Sequence, residues 1–181
     1  MALWIAAALY AEPGYLQYRQ AFGIKASNLS GYGAFYGYKP SDGTRIQATG
    51  IYYLFDYQFK YKRRIITDYT IGLEFQKDLV QEMRHRYYLM AGGYYYHDND
   101  ETRYNNGETR SDVPFHSIKD SYNCGIGIGY EYFFHRVTLG LELGYKYYHD
   151  KSREKEGEEV WLPVSEKVTK VGAGLNLGFI F

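Results

Sequence analysis

The chain has one cysteine, no net charge and no long apolar run. Cys124 stands alone, so an intrachain disulfide is excluded and the redox compartment cannot be read from pairing. The 21 Lys and Arg balance 21 Asp and Glu and are interleaved with them, leaving no basic stripe for a phosphate backbone. No nucleic-acid partner is expected. Lys60, Lys62, Arg63 and Arg64 come nearest to such a stripe and read as a charged loop. Nowhere do about 18 uninterrupted apolar residues occur, which excludes helical membrane spans. At 181 residues there is room for one domain and not a second.

What the chain has in excess is aromatic residues. It contains 23 Tyr, ten Phe and two Trp, yet its mean hydropathy is negative. A soluble core does not need this combination. A strand with one apolar face, one polar face and aromatic residues at each end does. Two-residue alternation is clearest in Lys167 to Phe181, where Val171, Ala173, Leu175, Leu177, Phe179 and Phe181 oppose Lys170, Gly172, Gly174, Asn176 and Gly178. The same period predicts strands at 18 to 27, 30 to 38, 44 to 56, 65 to 77, 84 to 97, 119 to 133, 137 to 149 and 166 to 181. An all-β, eight-stranded antiparallel up-and-down barrel is the expected fold. Turns 39 to 43 and 134 to 136 are short, while 98 to 118 and 150 to 165 are long, charged and read as loops. The span 77 to 84 is long for a turn on the short-turn side, and 27 to 30 is very short for a loop on the other.

Which face points outward separates a membrane barrel from a water-soluble cup. Eight of the twenty glycines fall on the polar face of the last three strands. Glycine weakens a water-facing strand and gains nothing there, whereas a narrow eight-stranded bore is crowded and rewards a missing side chain. The polar face is therefore expected inside. An apolar array of that size outside implies hydrocarbon, since soluble monomers rarely expose more than a few hundred Å² of contiguous apolar surface. On the same parity Cys124 faces lipid and reads as an inert packing residue.

Residues 1 to 11, MALWIAAALYA, are apolar and end in small residues, resembling the tail of a signal peptide without its positive start. They are read as a signal-peptide remnant or N-terminal segment, and 12 to 181 as the barrel. Gly172 to Phe181, the SGYGAFYGY of Ser30 to Tyr38 and the TGIYYLFD of Thr49 to Asp56 resemble a small eight-stranded outer-membrane β-barrel of Gram-negative bacteria. That resemblance implies location in the outer membrane and contact with its lipid and lipopolysaccharide. It also implies insertion by the barrel-assembly machinery, with Phe179 and Phe181 matching the end of the last-strand signal. Asn176 stands where that signal has Gly, and Gly174 where it has a polar residue.

The predicted bore charges are Lys25, Arg45, Glu74, Arg86, Glu131, Glu142, Lys146 and Lys170. Confined charge is costly unless paired, so they are expected to form one cross-strand network that plugs the barrel. YYHD occurs at Tyr95 to Asp98 and at Tyr147 to Asp150, with Phe55-Asp56 at the equivalent level. His and Asp there could hold Zn²⁺ or Ca²⁺. An aromatic ring at a membrane interface followed by polar residues explains them better, with the His pointing out and the Asp pointing in. No metal and no cofactor is therefore assigned. Barrels of this kind include lipid A-modifying enzymes that use His with Ser and an acid. Here His116 and Ser117 are adjacent and so face opposite ways, while His149, Ser152 and Glu154 enter a charged run. No catalytic residue is assigned. The preferred reading is a non-enzymatic barrel with a structural or surface-contact role, its extracellular partner unnamed. A lipid A-modifying enzyme and a narrow channel for small solutes remain the alternatives.

Overall fold

A computed structural model describes residues 18–60, 62–104, 115–156 and 162–181, so the expectation for residues 1 to 11 lies outside it. Eight strands follow in chain order: β1 (Gln20–Ser27), β2 (Gly31–Ser41), β3 (Thr44–Gln58), β4 (Lys62–Gln81), β5 (His85–Tyr104), β6 (Phe115–Phe134), β7 (Val137–Glu156) and β8 (Leu162–Ile180). Each pairs antiparallel with its neighbours, and β8 returns to β1, so the sheet is a closed barrel. Closure leaves no edge where the seam is complete. The turns have their own local causes. Asp42-Gly43 makes a two-residue hairpin with Gly43 at φ 71°, and His135-Arg136 makes another with His135 at φ 56°.

The stagger fixes the bore. From Ile24 the pairing runs through Ala34, Gly50, Ile71, Tyr95, Tyr122 and His149 to Lys167, ten residues along β8 from Leu177, which pairs with Ile24 directly. Eight strands with this shear tilt by about 40° and enclose a space that side chains can fill.

The inside is polar and the outside apolar. Among the described residues, nine hydrophobic residues are buried against twenty polar or charged ones, while 36 large hydrophobics are exposed. Outward rings cluster at both ends of the apolar zone. Phe22 packs on Phe179 and Phe181 near the chain terminus, and Tyr69, Tyr95 and Tyr122 form a row toward the loop end.

Two differences from the sequence reading concern the loop end. Strands β4 to β8 run 19 or 20 residues, so much of 98 to 118 and of 150 to 165 is strand rather than loop, and Lys62, Arg63 and Arg64 belong to β4. The second is the β1–β2 turn, which folds into the bore. Leu29 is fully buried there with Tyr88 and Met90. Glycine makes the space: a Cβ on Gly172 would stand 2.4 Å from Leu29 Cδ2, and one on Gly125 would stand 3.1 Å from it. Because this hairpin stops low, β3 pairs with β2 only as far as Gly50, and β8 pairs with β1 only as far as Gly174. Among the described residues, Ile51 to Gln58 then pair only with β4, and Leu162 to Gly172 only with β7.

Leu29→Ala should cost about 2–5 kcal/mol, the range for emptying a buried leucine site. Urea unfolding in lipid vesicles measures it, with Leu54→Ala on the outward face as the comparison.

Candidate functional site

Alternation sends every second side chain of each strand into the bore, and the stagger decides which of them meet. The end holding the chain terminus is closed by Ala21, Phe35, Phe133 and Ile180. Beside this plug lies an arginine-rich layer. Glu131 accepts Arg45 Nη1 at 2.6 Å and Arg86 Nη1 at 2.9 Å, while Arg86 Nε donates to Asp78 at 2.5 Å and Nη1 to Gln76 Oε1 at 2.6 Å. The Arg86 guanidinium also stacks over the Tyr88 ring, 4.4 Å from its centroid. A second layer centres on Lys25, whose Nζ lies 2.6 Å from both Glu74 and Glu142. Ser27 Oγ donates to Glu142 at 2.8 Å, and Tyr88 Oη reaches the same carboxylate at 3.3 Å. Gly129 lets the Tyr88 ring lie across the bore, since a Cβ there would stand 2.1 Å from the ring.

Six of the eight predicted bore charges thus meet in two adjoining layers. Lys146 and Lys170 do not join them. They lie beyond Leu29, where the bore widens into a cavity of about 350 Å³ at the loop end. The two lysines are direct cross-strand partners, and their ammonium groups lie 5.1 and 4.6 Å from the centroid of the Tyr148 ring. Sequence reasoning missed Asp78, Gln76, Ser27, Tyr88 and Leu29. Asp78 and Gln76 carried a parity signal, but Asp78 falls beside a bulge in β4 that hides it. Tyr88 and Leu29 carried none, because an apolar residue facing inward breaks the alternation that marks the polar side.

The candidate metal rim is not assembled. His97 Nδ1 lies 2.8 Å from Asp120 Oδ1 on the outward face, and Tyr95 Oη donates to the same carboxylate. His149 Nε2 lies 3.0 Å from Ser165 Oγ, and His116 Nε2 lies 2.8 Å from Asn99 Oδ1. Asp56 corrects the expectation that all three Asp point inward. Its partner Ile65 is an outward residue, and its carboxylate takes Arg63 Nη2 at 2.6 Å outside the barrel. Among the described residues no group of three or more His, Cys, Asp or Glu could hold a metal ion. Asp98 does face inward, opposite Asp68 and beyond the Tyr95 row. Burial, then the facing Asp68 carboxylate, pushes the Asp98 carboxyl up to about 6.

The fold has a solved counterpart. The crystal structure of a major outer membrane protein from Thermus thermophilus superposes with a TM-score of 0.53 at 11% identity, covering 91% of this chain and 100% of that one. The crystal structure of Acinetobacter baumannii CarO2 aligns with a TM-score of 0.39 at 9% identity, covering 89% of this chain and 98% of that one. No protein-family model and no curated protein sequence matches the chain. The chain has the fold of an eight-stranded outer-membrane β-barrel.

The layers and the rim can be tested separately. Glu131→Gln leaves two buried guanidiniums without their shared carboxylate and should cost about 3–5 kcal/mol in urea unfolding. Asp56→Asn, which breaks an exposed pair, should leave the midpoint unchanged. Asp98 should titrate near pH 6 by carboxyl NMR. Its folded-state value lies above the unfolded one, so the folded state holds the extra proton between about 4 and 6 and stability falls as pH rises through that window. Asp98→Asn should flatten this slope.

Proposed function

We propose that the chain is a non-conducting outer-membrane barrel of a Gram-negative envelope, with its termini in the periplasm and its extended strands and loops presented outside. One observation carries this reading: large hydrophobic side chains line the outer surface, while charged and polar side chains fill the bore. Only hydrocarbon rewards that inversion, and closure pairs the backbone groups that hydrocarbon cannot solvate. The aromatic rows at Phe22, Phe179 and Phe181 and at Tyr69, Tyr95 and Tyr122 mark the two interfaces in this reading. Two stacked ion-paired layers and an apolar plug occupy the bore, which supports a sealed body over a channel. The working surface is then the loop end, where β3 to β8 rise past the apolar zone.

Cell fractionation should place the protein in the outer membrane, and unboiled samples should migrate faster than boiled ones on a gel. Planar bilayers containing the folded protein should show no single-channel steps. A detergent-free soluble monomer, or regular unitary conductance, overturns the reading.

A further inference from the structure

We propose that the loop-end cavity binds the phosphate monoester head of an amphiphile, held between Lys146 and Lys170 and admitted sideways through the gap between β3 and β8. The inference rests on the membrane reading above.

The two lysines face each other directly across β7 and β8. Like charges in that position repel, and a fold gains nothing from placing them there by themselves. Three other bore cations and one on the cavity wall sit against carboxylates: Lys25 has two, Arg45 and Arg86 share a third, and Lys119 at the wall lies 2.9 Å from Asp150. Among the described residues no carboxylate comes within 4 Å of the Lys146 or Lys170 ammonium. Glu166, the other acid on the wall, accepts the Tyr148 hydroxyl at 3.1 Å instead. Lys146 is only 8% exposed, and its charge still has to be balanced. Two ammonium groups within 5.1 Å of one ring centroid, with Ser121 and Asn123 lining the same cavity, suit a group carrying close to two negative charges and several acceptor oxygens.

The gap says what the phosphate is attached to. Among the described residues, Ile51 to Gln58 of β3 and Leu162 to Gly172 of β8 have no strand partner on their open side. Lys170 stands on β8 beside that opening. On the outer surface the opening is flanked by exposed Tyr52 and Leu54 on one edge and Val171 on the other. The arrangement is cationic within and apolar without, at the level of the aromatic row. An acyl chain can stay in the membrane while its head enters the cavity.

The test uses the full chain folded in lipid nanodiscs, with the fast-migrating gel form verified first. A barrel that fails that check sinks the membrane reading, whereas a folded barrel that fails below sinks only the site. The probes are lysophosphatidic acid, an uncharged monoacylglycerol of the same chain length, and inorganic phosphate, followed by calorimetry and ³¹P NMR. Lysophosphatidic acid should bind and shift its phosphorus signal, and monoacylglycerol should not. Lys146→Gln/Lys170→Gln should weaken binding by roughly 10–100-fold, as loss of charge-assisted bonds implies. Lys146→Arg should restore most of it. Without ligand the double Gln variant should unfold at higher urea than the wild type, a gain that a purely structural role for the lysines would reverse. Equal binding of the charged and uncharged lipids, or unchanged binding by the double variant, overturns the proposal. Inorganic phosphate binding as tightly as the lipid overturns the sideways entry and leaves a free-phosphate site.

Discussion

The barrel depends on charge neutralisation in a bore eight strands wide. Isolated ions there would cost several kcal/mol each, so the two layers deep in the bore are stable only with their ions paired at bonding distance. Lys25 with Glu74 and Glu142, and Glu131 with Arg45 and Arg86, meet that condition across β1, β3, β4, β5, β6 and β7. Lys25 to Glu74 and Glu142, and Arg45 to Glu131, tie together strands that are not neighbours. They also set a requirement on size: with long side chains reaching across from one wall, the facing wall must be nearly bare. Gly129 under Tyr88 and Gly174 beside Ser27 and Glu142 are that bare wall.

Most of the architecture is legible from a period of two. Alternation yields eight strands and the face of most residues in the apolar zone, because a strand offers only two sides. It fails at the loop end for a physical reason. Once a strand rises beyond the apolar zone, both faces meet water or polar neighbours, the alternation fades, and Asp98 to Tyr104 or Lys151 to Glu156 read as loop although they stay in register. Height is illegible in the same way. Lys25 and Lys170 are both inward residues, but a shear of ten places one between two carboxylates and the other in a separate cavity. Register is a property of pairs of strands, and no single segment encodes it.

The inward turn at Asn28 to Ser30 was equally hidden. Three residues carry no periodicity, and Leu29 looks like any apolar residue at a strand end. Its place is set by Gly125 and Gly172 on β6 and β8, far away in sequence. The same turn limits how high β1 and β2 rise, so one short segment governs both the closure of the bore and the opening in the wall above it.

The seam that joins the first strand to the last has consequences for assembly. Seven residue pairs close it, against twenty between β6 and β7. Joining β1 to β8 brings together the strands farthest apart in the sequence, so loop-closure entropy favours this pairing coming after the hairpins. With so few rungs to align, that final step demands little search, and the same brevity makes this joint the natural place for the cylinder to part under lateral tension.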